Sequence, residues 1–193
     1  MRCAERMLAE DKCAQLRFSD VFESAGVSRG SAYRIYNGID DLMYDLSAEW
    51  LSNFVDFLSD IRLDEAPSTW MELSDRIIER GADYWTETAI TLRALPRIRS
   101  NAPAAYRTAV TEVSACLGRI YDRYFDMPRV PEWHLKLGFY TQLCDNTFSD
   151  AVRAEGKIGE SRLKEAQVLC RTYLGFHLPA NLRPKAQLRM RSA

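Results

Sequence analysis

Apolar residues recur along this chain at intervals of three and four, the spacing that gathers them on one face of an α-helix. Leu42, Leu46, Trp50, Phe54, Phe57 and Ile61 form one such stripe, headed by Asp40 and Asp41. Carboxylates in that place suit the positive end of a helix. A second helix is expected from Thr69, whose pairing with Glu72 fits a capping box, and it carries Trp70, Leu73, Ile77, Tyr84 and Trp85. A shorter one is predicted from Thr88 to Leu95, stopped by Pro96. Asn101 and Pro103 open another, with Tyr106, Val110, Val113, Leu117, Ile120 and Tyr124 on its apolar side. Pro131 is placed as the first residue of the next helix, which ends before Gly156. A last helix spans Ser161 to His177. No alternating strand pattern and no internal repeat stands out, so the expected class is all-α.

The last two helices differ from the others. The first of them has Trp133, Leu137, Tyr140, Cys144 and Phe148 on one side and Leu135, Phe139, Leu143 and Val152 on others. The second has Leu163, Ala166, Cys170 and Leu174 on one face, with Leu169, Tyr173 and Phe176 beside it. A helix apolar over most of its circumference must be covered on more than one side. Either a second copy of the chain covers the pair through a two-fold interface, or both lie centrally in a monomeric bundle.

Residues 18–42 hold the most specific pattern. A short helix from Ser19 to Ala25 is followed by Gly26, which can take the left-handed conformation that turns the chain sharply. Ser28 supplies an N-cap for a second short helix, Arg29 to Tyr36. Val21, Phe22 and Ala25 can pack on Val27, Ala32 and Ile35 or Tyr36. This is the layout of a helix-turn-helix. The second helix exposes Arg29, Ser31, Tyr33 and Arg34, groups suited to phosphates and base edges. Gly30 costs about 1 kcal/mol of helix stability relative to alanine, and it lets a duplex approach closely.

The run Ala25-Gly26-Val27-Ser28-x-Gly30-x-x-Tyr33-x-x-Tyr36, followed by Leu42, resembles the helix-turn-helix of TetR-type repressors. The resemblance covers about 25 residues directly and implies an all-α homodimer. It implies a three-helix DNA-binding head over residues 1–39, a helical ligand-binding and dimerisation body over 40–178, and a basic tail over 179–193. By that analogy Ser28, Arg29, Gly30, Ser31, Tyr33 and Arg34 meet a palindromic double-stranded operator. Phe139, Leu143, Ala166, Cys170, Tyr173, Leu174 and His177 form the dimer interface. A small apolar or aromatic inducer sits among Trp70, Tyr84, Trp85, Tyr106, Phe139 and Tyr140, with Gln142 and Asn146 as polar contacts. The sequence departs from the family pattern at Ile39, where a phosphate-contacting Lys is usual, at Gly38, commonly a Ser cap, and at Leu16, usually Thr. Only fifteen residues precede Leu16.

Charge sharpens the picture. The chain has 193 residues, 47% hydrophobic and 27% charged, with a net charge of −1. Residues 1–60 hold six basic and eleven acidic residues, residues 61–178 sixteen of each, and residues 179–193 four basic and none acidic. An acidic head lowers the expected non-specific affinity for DNA and flattens its salt dependence. A dimeric ligand-binding or interaction module with weak or lost DNA binding is therefore the competing reading. Uncharged runs reach only eleven residues, Thr172 to Leu182, against about 20 for a membrane-spanning helix. Charges also stand where the apolar core of a secretory signal would lie, so the cytoplasm is the expected compartment.

Enzyme chemistry finds little support. His134 and His177 are the two histidines, each on an apolar-rich helix. Cys3, Cys13, Cys116, Cys144 and Cys170 show no CxxC spacing and read as small hydrophobes or incidental thiols, so no metal and no cofactor is expected. No phosphate-cradling glycine loop is present outside the helix-turn-helix. Arg93, Arg97 and Arg99 bracket Pro96 as a solvated face, an acidic-ligand contact or a hinge.

Overall fold

The computed structural model describes residues 2–9, 16–61, 63, 65–88, 96, 99–100 and 103–185. The helix expected from Thr88 to Leu95, the cap at Asn101, Arg93, Arg97, Cys13 and the tail beyond 185 fall outside the described residues, apart from Thr88. Eight α-helices are described: α1 (Arg2–Ala9), α2 (Phe18–Ser24), α3 (Arg29–Ile35), α4 (Ile39–Ser59), α5 (Trp70–Glu87), α6 (Pro103–Tyr124), α7 (Trp133–Glu155) and α8 (Glu160–Gly175). There is no strand among these residues; one isolated bridge joins Phe125 to Pro184.

Local signals account for several helix ends. Ser28 Oγ accepts the Ser31 amide at 3.2 Å, and Thr69 Oγ1 accepts the Glu72 amide at 3.1 Å. Gly38 has no side chain to cap α4. Asp41 reaches back instead and accepts both the Asn37 amide at 3.0 Å and the Asn37 side-chain N–H at 2.6 Å. These two bonds hold the Asp41 carboxyl below its ordinary pKa. Gly156 ends α7 at φ 75°. Pro131 is not the first residue of that helix: α7 begins at Trp133 after Glu132, whose left-handed backbone (φ 53°) turns the chain out of the preceding loop.

Two cores are stacked along α4. The head core joins Ala4, Leu16, Phe18, Val21 and Ala32 to Leu42, Met43, Leu46 and Trp50 on the first half of α4. Glu5 on α1 accepts the Trp50 indole N–H at 3.0 Å, tying the first helix to the fourth. The body core takes over at Phe54 and Leu58 and runs through α5, α6, α7 and α8. Truncating a fully buried leucine here, Leu46 or Leu73, to alanine is expected to cost about 2–5 kcal/mol. Helices α6 and α7 pass closely at Gly138, where an added Cβ would stand 3.3 Å from Val110 and 3.4 Å from Ser114. Leu178 and Leu182 continue this core past α8. The Pro179 carbonyl accepts the Trp70 indole N–H at 2.9 Å, and Arg183 and Lys185 bond to the end of α6 and the residues just after it. The first part of the basic tail is thus stitched to the body.

Candidate DNA-contact helix and internal cavity

The turn between α2 and α3 is built by Gly26 at φ 66°. Its amide bonds to the Glu23 carbonyl at 3.0 Å, and the Val27 amide bonds to the Phe22 carbonyl at 2.8 Å. These paired bonds close a Schellman motif. Across the turn, Val21 and Ala32 are buried, and Phe22 and Tyr36 partly so. Of the alternatives Ile35 and Tyr36, it is Tyr36 that packs on this core; Ile35 is exposed, and so are Ala25 and Val27, which the sequence pattern expects in the contact. The Tyr33 ring stands edge-on to Phe18 at 5.2 Å and to Phe22 at 6.2 Å, with the Arg29 guanidinium 5.6 Å from its centroid. One side of Tyr33 therefore packs while the residue stays 47% exposed. Arg29, Gly30, Ser31 and Arg34 are exposed beside it, and Ser28 donates its hydroxyl to Ser31 Oγ at 2.9 Å. All six residues assigned to this surface from sequence lie together on or just before α3. Ile39, at the start of α4, packs against the head core.

The body holds a cavity of about 290 Å³ between α4, α5, α6 and α7. Its aromatic walls are Tyr44, Trp50, Phe54, Trp85 and Tyr106. Trp50 belongs to the head core and Phe54 to the body core, so the cavity touches α4 where the two cores meet. A smaller void beside it, about 40 Å³, shares Phe54, Trp85, Thr141 and Asp145 and reaches Tyr140. Tyr106 donates its hydroxyl to Asp145 Oδ2 at 3.1 Å, and the Arg99 guanidinium lies 5.0 Å from the Tyr106 ring. Burial pushes the Asp145 carboxyl up to about 6, against the opposing pull of Arg99 and the Tyr106 hydrogen bond. Burial, then the Asp145 charge, pushes the Tyr106 hydroxyl well up.

The residues expected to bind a ligand are divided by the structure. Trp85 and Tyr106 line the main cavity. Tyr140 lines the smaller void and shares a hydrogen bond of 3.2 Å with Ser74. The other five stand elsewhere. Trp70 is sealed in the body core. Tyr84 packs on Phe54 and Phe57 behind the wall. Phe139 faces outward, Gln142 lines a separate outer groove, and exposed Asn146 accepts a hydrogen bond from Arg99. Asp145, Trp50 and Phe54 join the site although the sequence stripes give no reason to place them in it.

The dimer residues divide as well. Ala166, Cys170 and Leu174 are fully buried inside their own chain, so they offer no surface to a partner. A helix apolar on two sides does not reveal which side faces its own bundle. Leu143 is partly buried against the same core. Phe139 and Tyr173 touch at 4.9 Å, and Tyr173 touches His177 at 5.1 Å on the outside. Desolvation and then the Lys136 charge hold His177 below its usual pKa. Around them Leu135, Leu169 and Phe176 are 57%, 42% and 80% exposed, an apolar face on α7, on α8 and just past its end. Among the described residues no helix is long and apolar enough to cross a membrane, and no cluster of His, Cys, Asp and Glu could hold a metal ion.

The chain superimposes on a TetR-family transcriptional regulator from Streptomyces coelicolor with a TM-score of 0.67 at 19% identity, covering 92% of this chain and 96% of that one. A TetR transcription regulator from Haloarcula marismortui gives 0.58 at 17% identity, with 92% and 98% covered. The chain has the fold of TetR-family regulators. A further one, from Thermus thermophilus, gives 0.51 at 16% identity, with 89% and 94% covered. No family model matches the sequence, and no curated protein matches it. Along this fold, α1 to α3 share one core with the first half of α4, and α5 to α8 share the other with its second half.

Proposed function

We propose that this chain is a homodimeric, ligand-responsive DNA-binding transcriptional regulator. The observation that carries the reading is α3: a seven-residue helix, capped by Ser28, that presents Arg29, Gly30, Ser31, Tyr33 and Arg34 together to solvent on a TetR-type fold. Arg29 and Arg34 supply bidentate donors for base edges or phosphates, and Tyr33 supplies a hydroxyl held by a packed ring. One copy of α3 per protomer would enter successive major grooves about 34–36 Å apart. The exposed face of Leu135, Phe139, Leu169 and Phe176 is the surface proposed to pair two copies.

The cavity supplies the response. It touches α4 at Trp50 and Phe54, so an occupant bears on the helix that joins head to body. A ligand that favours one setting of α4 over another shifts the spacing of the two α3 helices by its differential affinity. Selection of genomic DNA fragments by the purified protein at stated salt tests the reading. Enrichment of one palindrome supports it.

A second reading is favoured by two observations. Residues 1–60 carry five more acidic than basic residues, and Ile39 is tucked into the head core. A well-folded dimer that enriches no sequence would make this a ligand-binding module without DNA affinity.

A further inference from the structure

The main cavity has a definite electrical character. Two carboxylates line it, the partly buried Asp145 and the solvent-exposed Glu112, and no Lys, Arg or His stands among its described lining residues. The rest of the wall is aromatic, aliphatic or small, and the polar atoms of Ser47, Thr108 and Thr141 carry no charge. A carboxylate held away from water is costly unless a positive charge or hydrogen-bond donors compensate it. Asp145 receives one hydroxyl, from Tyr106. Among the described residues the cation that acts on Asp145 is Arg99, which is off the cavity lining and stacked over the Tyr106 ring. It donates Nη1 to Asn146, while its Nε and Nη2 atoms have no acceptor among the described residues.

Three kinds of occupant can be compared. A neutral hydrocarbon would fill the space but strip water from Asp145 without replacing it. An anion would meet the Asp145 charge at close range, with the Glu112 charge beyond it on the solvent side. A cation with a flat apolar body would neutralise Asp145 and set its charge near the faces of electron-rich rings, which attract cations by about 0.5–2 kcal/mol each. A volume of about 290 Å³ stands at the small end of ligand sites and suits a body of two or three rings.

We propose that this cavity takes an aromatic organic monocation, with Asp145 as its counter-charge and Trp50, Trp85 and Tyr106 as the rings that face it. The inference rests on the regulator reading for its effect on DNA, but not for binding itself.

The test uses the full chain and calorimetric titration with three probes of similar size. These are 1-ethylquinolinium (a fixed cation), 1-naphthylmethylammonium (a cation with N–H donors) and neutral 1-ethylnaphthalene. At pH 8 both cations are expected to bind at least about tenfold tighter than the hydrocarbon, the factor that about 1.4 kcal/mol of charge pairing confers. A tighter ammonium than quinolinium would assign a direct hydrogen bond to the natural ligand; equality would assign a quaternary or delocalised cation. The charged or titratable groups around Asp145 are Arg99, Tyr106 and Cys144, and the last two are pushed up out of the physiological range. Glu112 stands elsewhere on the same wall. The quinolinium advantage is therefore expected to fall between pH 8 and pH 5 as Asp145 takes up a proton. Asp145→Asn is expected to lose about tenfold in quinolinium affinity and keep the affinity for ethylnaphthalene, which also reports an intact cavity. Equal binding of cation and hydrocarbon, or quinolinium binding indifferent to pH, overturns the proposal even if Asp145→Asn fails to fold. Fragment selection on the same preparation separates the two readings. DNA enrichment without a cation preference sinks this inference alone, and a cation preference without enrichment sinks the regulator reading alone.

Discussion

Tyr106 on α6 and Asp145 on α7 share a hydrogen bond of 3.1 Å in which burial raises the pKa of both partners. The pair has a consequence for stability. Asp145 has a folded-state pKa of about 6 against an ordinary value of 3.8, so the folded state holds its proton over a range in which the unfolded chain has released it. Its contribution is favourable below about pH 4 and is lost as pH rises through about 6. Urea unfolding of the wild type and of Asp145→Asn between about pH 4 and pH 7.5 checks this. The variant, which cannot ionise, is expected to gain roughly 1–3 kcal/mol relative to the wild type across that interval. A constant difference would place Asp145 in water.

Gly30 separates stability from recognition. A Cβ there meets nothing within 4 Å, so Gly30→Ala is expected to gain up to about 1 kcal/mol of helix stability. The same methyl stands on the face offered to DNA, so operator affinity is expected to fall. Thermal unfolding and a binding isotherm on the same preparation read the two effects. Gly26→Ala is the contrast: at φ 66° it forces a side chain into the left-handed region, at a cost of about 1–2 kcal/mol.

Tyr33→Phe removes one hydroxyl and keeps the ring that packs on Phe18 and Phe22. Its melting temperature is expected to match the wild type while operator binding weakens by about 0.5–1.5 kcal/mol, the net worth of one hydrogen bond. Arg34→Ala is expected to weaken binding further and to reduce its salt dependence by about one phosphate contact. Retained affinity in both would remove α3 from the interface.

The outer face of α7 and α8 is tested by charge. Leu169→Glu with Phe176→Asp places two carboxylates in the apolar face while leaving the intrachain core intact. Light scattering is expected to show the wild type as a dimer and the variant as a folded monomer. A wild type that is monomeric at micromolar concentration contradicts the assignment. Cys170→Ser, by contrast, alters a side chain sealed inside one protomer, 3.3 Å from Cys144 Sγ, and is expected to change stability rather than assembly.

The parts of this structure legible in the sequence are those decided within a few residues. Gly26, the Ser28 cap, the Thr69 cap and the Gly156 stop depend on local backbone chemistry, and each stands where its residue type placed it. Pro131 misleads because Glu132 takes the left-handed turn that a sequence pattern assigns to glycine or asparagine. The cavity is less legible. Trp85 and Tyr106 stand out as aromatics, but so does Trp70, and burial against Pro179 takes it out of the site. Asp145 is inconspicuous, because it is one of three acids on α7, with Asp150 and Glu155, and nothing sets it apart until α6 brings Tyr106 against it. The inner and outer faces of α8 are confused for the same reason: periodicity finds two apolar sides, and only the packing of α5 and α7 tells them apart.

The central claim, that α3 reads DNA, is tested most directly by genomic-fragment selection with the wild type beside Arg29→Ala/Tyr33→Phe/Arg34→Ala at a fixed salt of about 100 mM, where the Debye length is about 10 Å. The account predicts a single palindromic sequence, its half-sites about one helical turn apart, enriched by the wild type and not by the variant. No enrichment by a folded wild-type dimer, or equal enrichment by both proteins, would contradict it.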